Sequence, residues 1–422
     1  MANILLLIIS ILIYASFGLK SLIFIVFSAL STYLAAKYMY KNKKLIFYST
    51  LIINILILVF FKIISFNNFL NISILVPLGI SYYTFSVLGY LIDIYKEKYQ
   101  PEKSIFNYFL FVMYIPYLFI GPISRYDQIS KTLYNKRTIT KDNFFNGLIR
   151  VAWGLFKKYV IAGRIAIIIS TISSNPEAYF GSYVFLALIL YSFELYNDFS
   201  GGIDMVLGFS KILGIELSEN FNSPYLSENL REFWRKWHIS LSTWFKDYVY
   251  IPLGGNKCSK IRNRINLIIT FIVSGLWHGI NYFFWGLFHG IIVAFTPKEK
   301  SDFKVLNITL TFLIVSFLWV FFIYPDSLTS FKMFFSIFYK FNGIDLINNI
   351  TKLGLNIPNL IIMIVTIIIG IIVDIKHDKL KSIYNLKIDK KLIIILSLLL
   401  ITLLLGIYGL GFEKSNFIYS KF

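Results

Sequence analysis

Three of the four histidines in this sequence lie among aromatic residues, where an imidazole could act as a general base. His278 and His289 belong to the stretch FIVSGLWHGINYFFWGLFHG, and His238 follows the string EFWRKW. An imidazole buried among aromatic rings stays neutral at physiological pH, which is the state that a general base requires. A histidine in an apolar segment is as often a structural hydrogen-bonding residue, so both interpretations stay open. His377 lies in a basic loop and is set aside.

The spacing of the histidines argues against a shared metal ion. In one continuous helix, His278 and His289 would share a face but lie about 16 Å apart. No His-x-x-x-His pair and no acidic residue at ligand spacing accompanies them. The single cysteine, Cys258, excludes an internal disulfide and a cysteine-based zinc site. We therefore predict no catalytic metal and no bound cofactor.

Residues 228–250 combine cations, aromatic rings and a histidine at helical spacing. If this segment is one helix, its shared face carries Arg231, Trp234, His238 and Leu241. We predict that its cations bind the phosphates of a nucleotide-like or phosphopantetheine carrier; these cations are Arg231, Arg235, Lys236 and Lys246. The alternative is an amphipathic helix that lies on anionic lipid headgroups.

The elements that position these residues are predicted to be membrane helices. Of the 422 residues, 57% are hydrophobic and 18% are aromatic, and the mean hydropathy is +0.69, far above that of an ordinary soluble domain. The apolar runs cover residues 4–17, 22–39, 45–66, 74–95, 144–172, 183–196, 305–324, 360–373 and 392–410. Such runs predict an all-α polytopic membrane protein with about nine to eleven crossings and a retained first span.

The distribution of basic residues predicts the orientation. Basic clusters at residues 41–44 and 96–103 fall on the same side, and residues 124–143 return to it. The positive-inside rule then predicts a protein of the cytoplasmic membrane with its N-terminus in the cytosol. Residues 106–122 enter and leave on that side, and Pro116 and Gly121-Pro122 break this segment, so we predict a re-entrant element that lines a cavity.

Several functions are disfavoured by the sequence. The formal net charge is +19, but the basic residues lie in short clusters between apolar runs, which is typical of cytosolic loops and not of a nucleic-acid-binding face. There is no Walker-type phosphate loop, no Rossmann glycine fingerprint and no G-x-S-x-G elbow. ATPase and hydrolase functions therefore lose support, and no nucleic-acid partner is expected.

Three strings carry a resemblance to a known family. NDFSGGIDMVLGFSKILGIELSENFNSPYL, EFWRKWHISLSTWFKDYVYIPLGG and SGLWHG resemble the membrane-bound O-acyltransferase (MBOAT) family. Within it, the chain is most similar to the bacterial alginate and peptidoglycan O-acetyltransferase group and more distantly similar to the D-alanyl transferase of teichoic acids. The similarity is specific from about residue 191 to 290. It is diffuse in the N-terminal third, at PLGISYYTFSVLGYLIDIY and YLFIGPISRYDQI.

The resemblance implies a fold and assigns roles to residues. It implies a ring of helices around a central funnel. Because the sequence has no repeat period, heptad run or low-complexity linker, we predict one domain of residues 1–422, with N-terminal helices and the re-entrant segment in 1–143, a catalytic core in 144–297 and C-terminal helices in 298–422. His278 in SGLWHG matches the catalytic histidine of the family, and His238 in EFWRKWH matches its second functional histidine. Supporting candidates are His289, Trp277, Asp198 and Asp204. Either aspartate could polarise an imidazole, bind a cation or pair with Arg or Lys.

Two departures from the family pattern stand out. The gap between His278 and His289 is about two residues shorter than the family pattern, which leaves any role of His289 open. Tyr324-Pro325 stands where an arginine is common.

The implied activity is transfer of a small acyl group, most simply acetyl, across the membrane. A thioester donor, acetyl-CoA or an acyl carrier, would approach the cytosolic mouth near residues 231–246. His278 would deprotonate an acceptor hydroxyl, with His238 orienting it or shuttling protons. The expected acceptor is an extracytoplasmic polysaccharide or peptidoglycan, reached directly or through a separate extracytoplasmic transferase. The alternatives are D-alanyl transfer to teichoic acid, a transporter or glycan flippase, and a non-catalytic assembly scaffold.

Overall fold

The computed structural model describes residues 2–66, 76–134, 139–297, 303–324 and 326–408. Within these ranges the regular structure is helical and no residue forms a strand, which confirms the predicted all-α class. The predicted division of the chain at residues 143 and 297 stays a prediction.

The helices follow the chain in an order that matches most of the predicted apolar runs. They are α1 (Ala2–Ser16), α2 (Leu19–Tyr38), α3 (Lys43–Phe66), α4 (Ile80–Tyr95), α5 (Ile105–Met113), α6 (Ile115–Ile120), α7 (Tyr126–Leu133), α8 (Lys141–Leu155), α9 (Gly163–Ser174), α10 (Ser182–Ile212), α11 (Leu230–Lys236), α12 (Ile239–Phe245), α13 (Lys260–His278), α14 (Phe283–Phe295), α15 (Lys304–Leu318), α16 (Val320–Ile323), α17 (Ser327–Tyr339), α18 (Gly343–Asn349), α19 (Ile357–Ile375), α20 (His377–Leu380) and α21 (Ile388–Leu405). Two π-helical segments, Phe156–Ala162 and Lys246–Tyr250, follow α8 and α12.

Four of the described helices are long and apolar enough to cross a membrane. They are Leu19–Tyr38, Lys43–Ile63, Lys304–Ile323 and Ile357–Ile375, and two shorter apolar helices, Asn3–Ser16 and Ile280–Phe295, accompany them. On α19 the exposed side chains recur at helical spacing, at Ile361, Ile364 and Ile368, as expected of a face that meets lipid. The apolar helices confirm the membrane character of the chain, and the total of nine to eleven crossings stays a prediction.

The described chain divides into two compact units, and α8 and α10 contribute residues to both. The first unit contains residues up to 147 and residues 206–219. Its core is α4, which is buried along almost its whole length and packs against α2, α3 and α5. The predicted break in residues 106–122 is present: α5 ends at Met113, α6 begins at Ile115, and α6 ends before Gly121.

The second unit contains the described residues of 148–205 and 220–408. Its most extensive helix packing joins α13 to α14. Glycines make this contact possible. A Cβ atom on Gly275 would lie 3.2 Å from the Cα of Gly286, and one on Gly290 would lie 2.9 Å from the Cα of Ile268. Gly286 and Gly290 have the G-x-x-x-G spacing with which apolar helices approach closely. The two helices therefore form a tight hairpin, not the continuous helix considered from the sequence.

Substitution of Gly290 tests this hairpin. We expect Gly290→Ala to lower the free energy of unfolding by about 1–3 kcal/mol, because the added methyl group meets backbone atoms that cannot rotate away. Gly370→Ala is the matched control in another apolar helix, since its Cβ would lie 3.6 Å from the nearest atom, the Cδ1 of Ile161. We expect this control substitution to raise the free energy of unfolding by about 0.8–1 kcal/mol, because alanine has a higher helix propensity than glycine. Thermal unfolding in detergent measures both, and equal shifts would contradict the close packing.

Candidate active site

Residues 228–250 do not form one helix, because the helix is broken at His238. His238 has φ 43° and ψ 55°, in the left-handed region, and separates α11 from α12. The four residues Arg231, Trp234, His238 and Leu241 therefore do not share the face of one helix, although all four line the same cavity. A left-handed conformation is unfavourable by roughly 1–2 kcal/mol for a residue with a Cβ, so surrounding contacts must hold it.

Hydrogen bonds from a neighbouring loop hold the break. The main-chain carbonyl of Asn220 accepts a hydrogen bond from the N–H of Ile239 at 2.9 Å. The Oδ1 of the same Asn220 accepts one from the N–H of Ser240, also at 2.9 Å. The N–H of Asn222 donates to the carbonyl of Lys236 at 3.0 Å. The loop thus satisfies main-chain groups on both sides of His238.

A cavity of about 410 Å³ in the second unit is lined by residues of the broken segment and of the α13–α14 hairpin. Both His238 and His278 line it, and they are only 2% and 4% exposed. Arg235 and Lys246 also line it, and both are exposed. Because exposed cations and buried imidazoles line the same cavity, it leads from the surface of this unit to its core.

His278 is the last residue of α13 and is surrounded by aromatic rings. Gly279 follows it with φ 151°, a conformation that side chains rarely permit, and turns the chain towards α14. The imidazole centroid lies 5.4 Å from that of Phe322 and 5.7 Å from that of Trp285, both of which also line the cavity. Trp277 contacts the imidazole at 4.6 Å but is not part of the cavity lining. These rings give His278 a defined orientation.

His289 is fully buried in the middle of α14 and does not line the cavity. Its Nδ1 accepts a hydrogen bond from the indole N–H of Trp234 at 3.3 Å. Trp285 lies between the two histidines of the hairpin, with centroids 4.9 Å from His289 and 5.7 Å from His278. The geometry therefore connects His289 to the cavity through Trp234, which lines it.

The four cations predicted to bind a donor differ in position. Arg231, Arg235 and Lys246 line the cavity, whereas Lys236 does not and pairs with Glu232 at 2.8 Å. The Nε of Arg231 donates to the carbonyl of Thr296 at 3.0 Å and so also closes the C-terminal end of α14.

The two aspartates on α10 pair with cations. Asp204 accepts hydrogen bonds from the Nε of Arg150 at 2.9 Å and contacts the Nζ of Lys157 at 2.5 Å. Asp198 pairs with Lys158, and this contact is almost fully buried. Of the roles left open from the sequence, the geometry fits pairing with Arg or Lys. Breaking such a buried pair on one side is unfavourable by roughly 3–5 kcal/mol, so these residues stabilise the unit.

Hydroxyl groups on the cavity wall were not singled out from the sequence. Ser242, Thr243, Thr270, Ser274 and Tyr250 line the cavity beside the histidines. Ser274 stands four residues before His278 on α13, so the helical spacing of the SGLWH string could have indicated it. Among the described residues, no three His, Cys, Asp or Glu residues group as metal ligands would. The metal-free site stays a prediction.

An all-α membrane chain in which two buried histidines line one internal cavity has the layout of a polytopic membrane enzyme. The sequence model of the MBOAT, membrane-bound O-acyltransferase family matches residues 102–298, which include the three buried histidines. The chain belongs to this family.

The chain is similar in sequence to several named acyltransferases. The chain is 35% identical over 308 residues to the probable alginate O-acetylase of Pseudomonas syringae pv. tomato, covering 71% of this chain and 59% of the relative. It is 33% identical over 348 residues to the peptidoglycan O-acetyltransferase of Helicobacter pylori, covering 72% and 66%. It is 29% identical over 312 residues to the teichoic acid D-alanyltransferase of Streptococcus thermophilus, covering 70% and 74%. The chain thus spans less than two thirds of the length of the alginate relative.

The contact between Trp234 and His289 is testable by a double-mutant cycle. We expect His289→Leu to lower the free energy of unfolding by about 1–2 kcal/mol, because it leaves the indole N–H of Trp234 without its acceptor. In a Trp234→Phe background the same change should be less harmful by about 1 kcal/mol, since the donor is already gone. Chemical unfolding in detergent supplies the four free energies. Strictly additive losses would show that the hydrogen bond contributes nothing.

Proposed function

We propose that this chain is an O-acyltransferase that transfers a small acyl group, acetyl, from a cytosolic thioester donor to hydroxyls of an extracytoplasmic cell-envelope glycan. The observation that carries the proposal is a cavity lined both by exposed cations and by the buried imidazoles of His238 and His278. Membership of the O-acyltransferase family supports the reaction class. The names of the alginate and peptidoglycan relatives support a glycan acceptor.

The reaction assigns a distinct task to His278. Its neutral imidazole takes the proton of the acceptor hydroxyl as the oxygen attacks the thioester carbonyl. The carbon–sulfur bond then breaks, the ester forms, and the imidazolium returns the proton to the leaving thiolate. The products are the O-acyl glycan and the free thiol, so the reaction requires no cofactor beyond the thioester. His238, on the same cavity, orients the acceptor or shuttles the proton.

The cations on the cavity wall fit the charged part of the donor. Arg235 and Lys246 are exposed, so they can meet phosphate groups in solvent while the acyl end enters the cavity. Acetyl-CoA and a phosphopantetheine carrier both present such phosphates. In this proposal the donor approaches the cytosolic mouth of the cavity near these cations.

The charge of the cavity wall favours acetyl over D-alanyl. A D-alanyl group carries an ammonium, and a buried ammonium needs a carboxylate or several acceptors to replace its water. Of the described residues, those that line the cavity include Arg231, Arg235 and Lys246 but no Asp or Glu. A neutral acetyl group avoids this repulsion. The acceptor is reached directly or through a partner transferase outside the cytoplasmic membrane, with the N-terminus of this chain in the cytosol.

Replacement of His278 tests the proposed function. We expect His278→Ala to reduce ester-linked acetyl in the envelope glycan by about 10²- to 10⁴-fold in rate, because the general base is lost. His377→Ala is the matched control, since His377 is exposed and outside the cavity. Both variants are compared at equal amounts in the membrane, and mass spectrometry of the released acyl group identifies it.

Each outcome of this comparison has a definite meaning. Unchanged ester content in His278→Ala would contradict the assigned base. If the wild-type glycan carried no esters and cells with His278→Ala exported less glycan, the transporter alternative would be favoured. Release of alanine instead of acetate would assign D-alanyl transfer and overturn the argument from cavity charge.

The cations on the cavity wall lead to a second prediction. We expect Arg235→Ala and Lys246→Ala each to raise the KM for the thioester donor by roughly 3- to 10-fold with little change in kcat, because they contact the donor away from the reacting carbonyl. Lys236→Ala should change KM less, since Lys236 pairs with Glu232 outside the cavity lining. Initial rates with purified protein in liposomes measure all three. A larger effect at Lys236 would place the donor on another face.

A further inference from the structure

We propose that Asn220 is a positioning residue for His238, because it caps α12 in place of the His238 side chain. The inference rests on the proposed function, in which His238 acts at the cavity. Asn220 lies 18 residues before His238 in the sequence, and it is fully buried. Its task is to hold the chain in the conformation that brings the imidazole to the cavity wall.

The first turn of a helix leaves N–H groups that need acceptors from outside the helix. The residue at the N-cap position usually supplies one with its own side chain. In α12 that residue is His238, and its side chain makes no capping hydrogen bond. The carbonyl and the Oδ1 of Asn220 accept the hydrogen bonds of the first two N–H groups instead, each at 2.9 Å. Asn220 therefore replaces the N-cap side chain.

The consequence is that the imidazole of His238 is not used for capping. Within the described part of the chain, neither of its ring nitrogens has a hydrogen-bond partner, although the residue is 2% exposed. The ring packs edge-on against Phe199, with centroids 4.8 Å apart. Both nitrogens can therefore serve a hydroxyl, a water molecule or a thioester that enters the cavity.

The break that Asn220 holds also decides which residues reach the cavity. Trp237, His238 and Ile239 are consecutive, and all three line it. In a continuous α-helix, consecutive side chains point about 100° apart, so three in a row cannot face one cavity. The left-handed conformation of His238 removes this restriction. Loss of the two Asn220 hydrogen bonds would favour continuation of the helix and withdraw the imidazole.

The side chain of Asn220 can be tested separately from its carbonyl, which no substitution removes. We expect Asn220→Ala to lower kcat for acyl transfer by about tenfold or more, with a smaller change in the KM for the donor, because the loss displaces a group at the reacting centre. Asn220→Asp keeps an oxygen acceptor for the N–H of Ser240 and should recover most of the rate. Asn222→Ala is the matched control, because the Asn222 side chain is exposed and its main-chain hydrogen bond to Lys236 persists.

A double-mutant cycle asks whether Asn220 acts through His238. If it does, Asn220→Ala should have little further effect in a His238→Ala background, because the group it positions is already absent. Multiplying effects of the two substitutions would overturn the proposal. So would a rate for Asn220→Ala within about twofold of that of Asn222→Ala.

Chemical modification of His238 provides a readout that does not depend on acyl transfer. Diethyl pyrocarbonate acylates accessible neutral imidazoles, and peptide mass spectrometry reports each histidine of the purified protein separately. We expect Asn220→Ala to change the modification rate of His238 by about threefold or more while that of His377 stays constant. An unchanged rate at His238 would overturn the positioning role. If the wild-type protein transferred no acyl group, the proposed function would fail, and this rate would still decide whether Asn220 positions His238.

Discussion

Buried main-chain N–H and C=O groups must find partners wherever a helix stops, and the structure around the cavity depends on how this constraint is met. Both histidines on the cavity lie at such stops. His238 precedes the first residue of α12, and His278 is the last residue of α13. His289 lies inside α14, where the helix satisfies its own main chain, and it is not on the cavity. The ends of interrupted helices thus place the side chains of His238 and His278 on the wall of the cavity.

The α13–α14 hairpin provides the rigid wall against which this irregular segment is arranged. Its glycines bring two backbones into contact, and its rings pack in a connected series. Trp285 contacts His278, His289 and Trp234 at centroid distances between 4.9 and 5.7 Å. Arg231 closes the end of α14 from the opposite segment. A displacement of any one ring must therefore move its neighbours, which keeps the position of the imidazole of His278 well defined.

Much of this arrangement could be predicted from the sequence, because it depends on composition and local strings. The apolar runs indicated the helices, and the aromatic strings around His238 and His278 indicated two histidines that do meet on one cavity. The break at His238 could not be predicted, since a left-handed residue other than glycine or asparagine has no signature in its own type. Its cause is Asn220, which the chain brings close only through the tertiary fold.

The extent of α10 shows a second limit of local patterns. The hydropathy falls after residue 197, but the helix continues to Ile212. The reason is that Asp198 and Asp204 meet cations from the segment around residues 150–158, so their charges do not interrupt the helix. Pairing partners more than 40 positions apart leave no trace in a sliding window. The sequence therefore left their role open between catalysis and pairing, and geometry favours the second.

These ion pairs also bear on how the chain is made. A single charge at the centre of a membrane helix is unfavourable by roughly 2.5–3.5 kcal/mol during insertion. Lys158 is synthesised 40 residues before Asp198, a delay of roughly 2–8 s at a translation rate of about 5–20 residues per second. During that interval Lys158 has no counter-ion from α10. Lys158 can therefore reach its buried, paired position only after α10 has been synthesised.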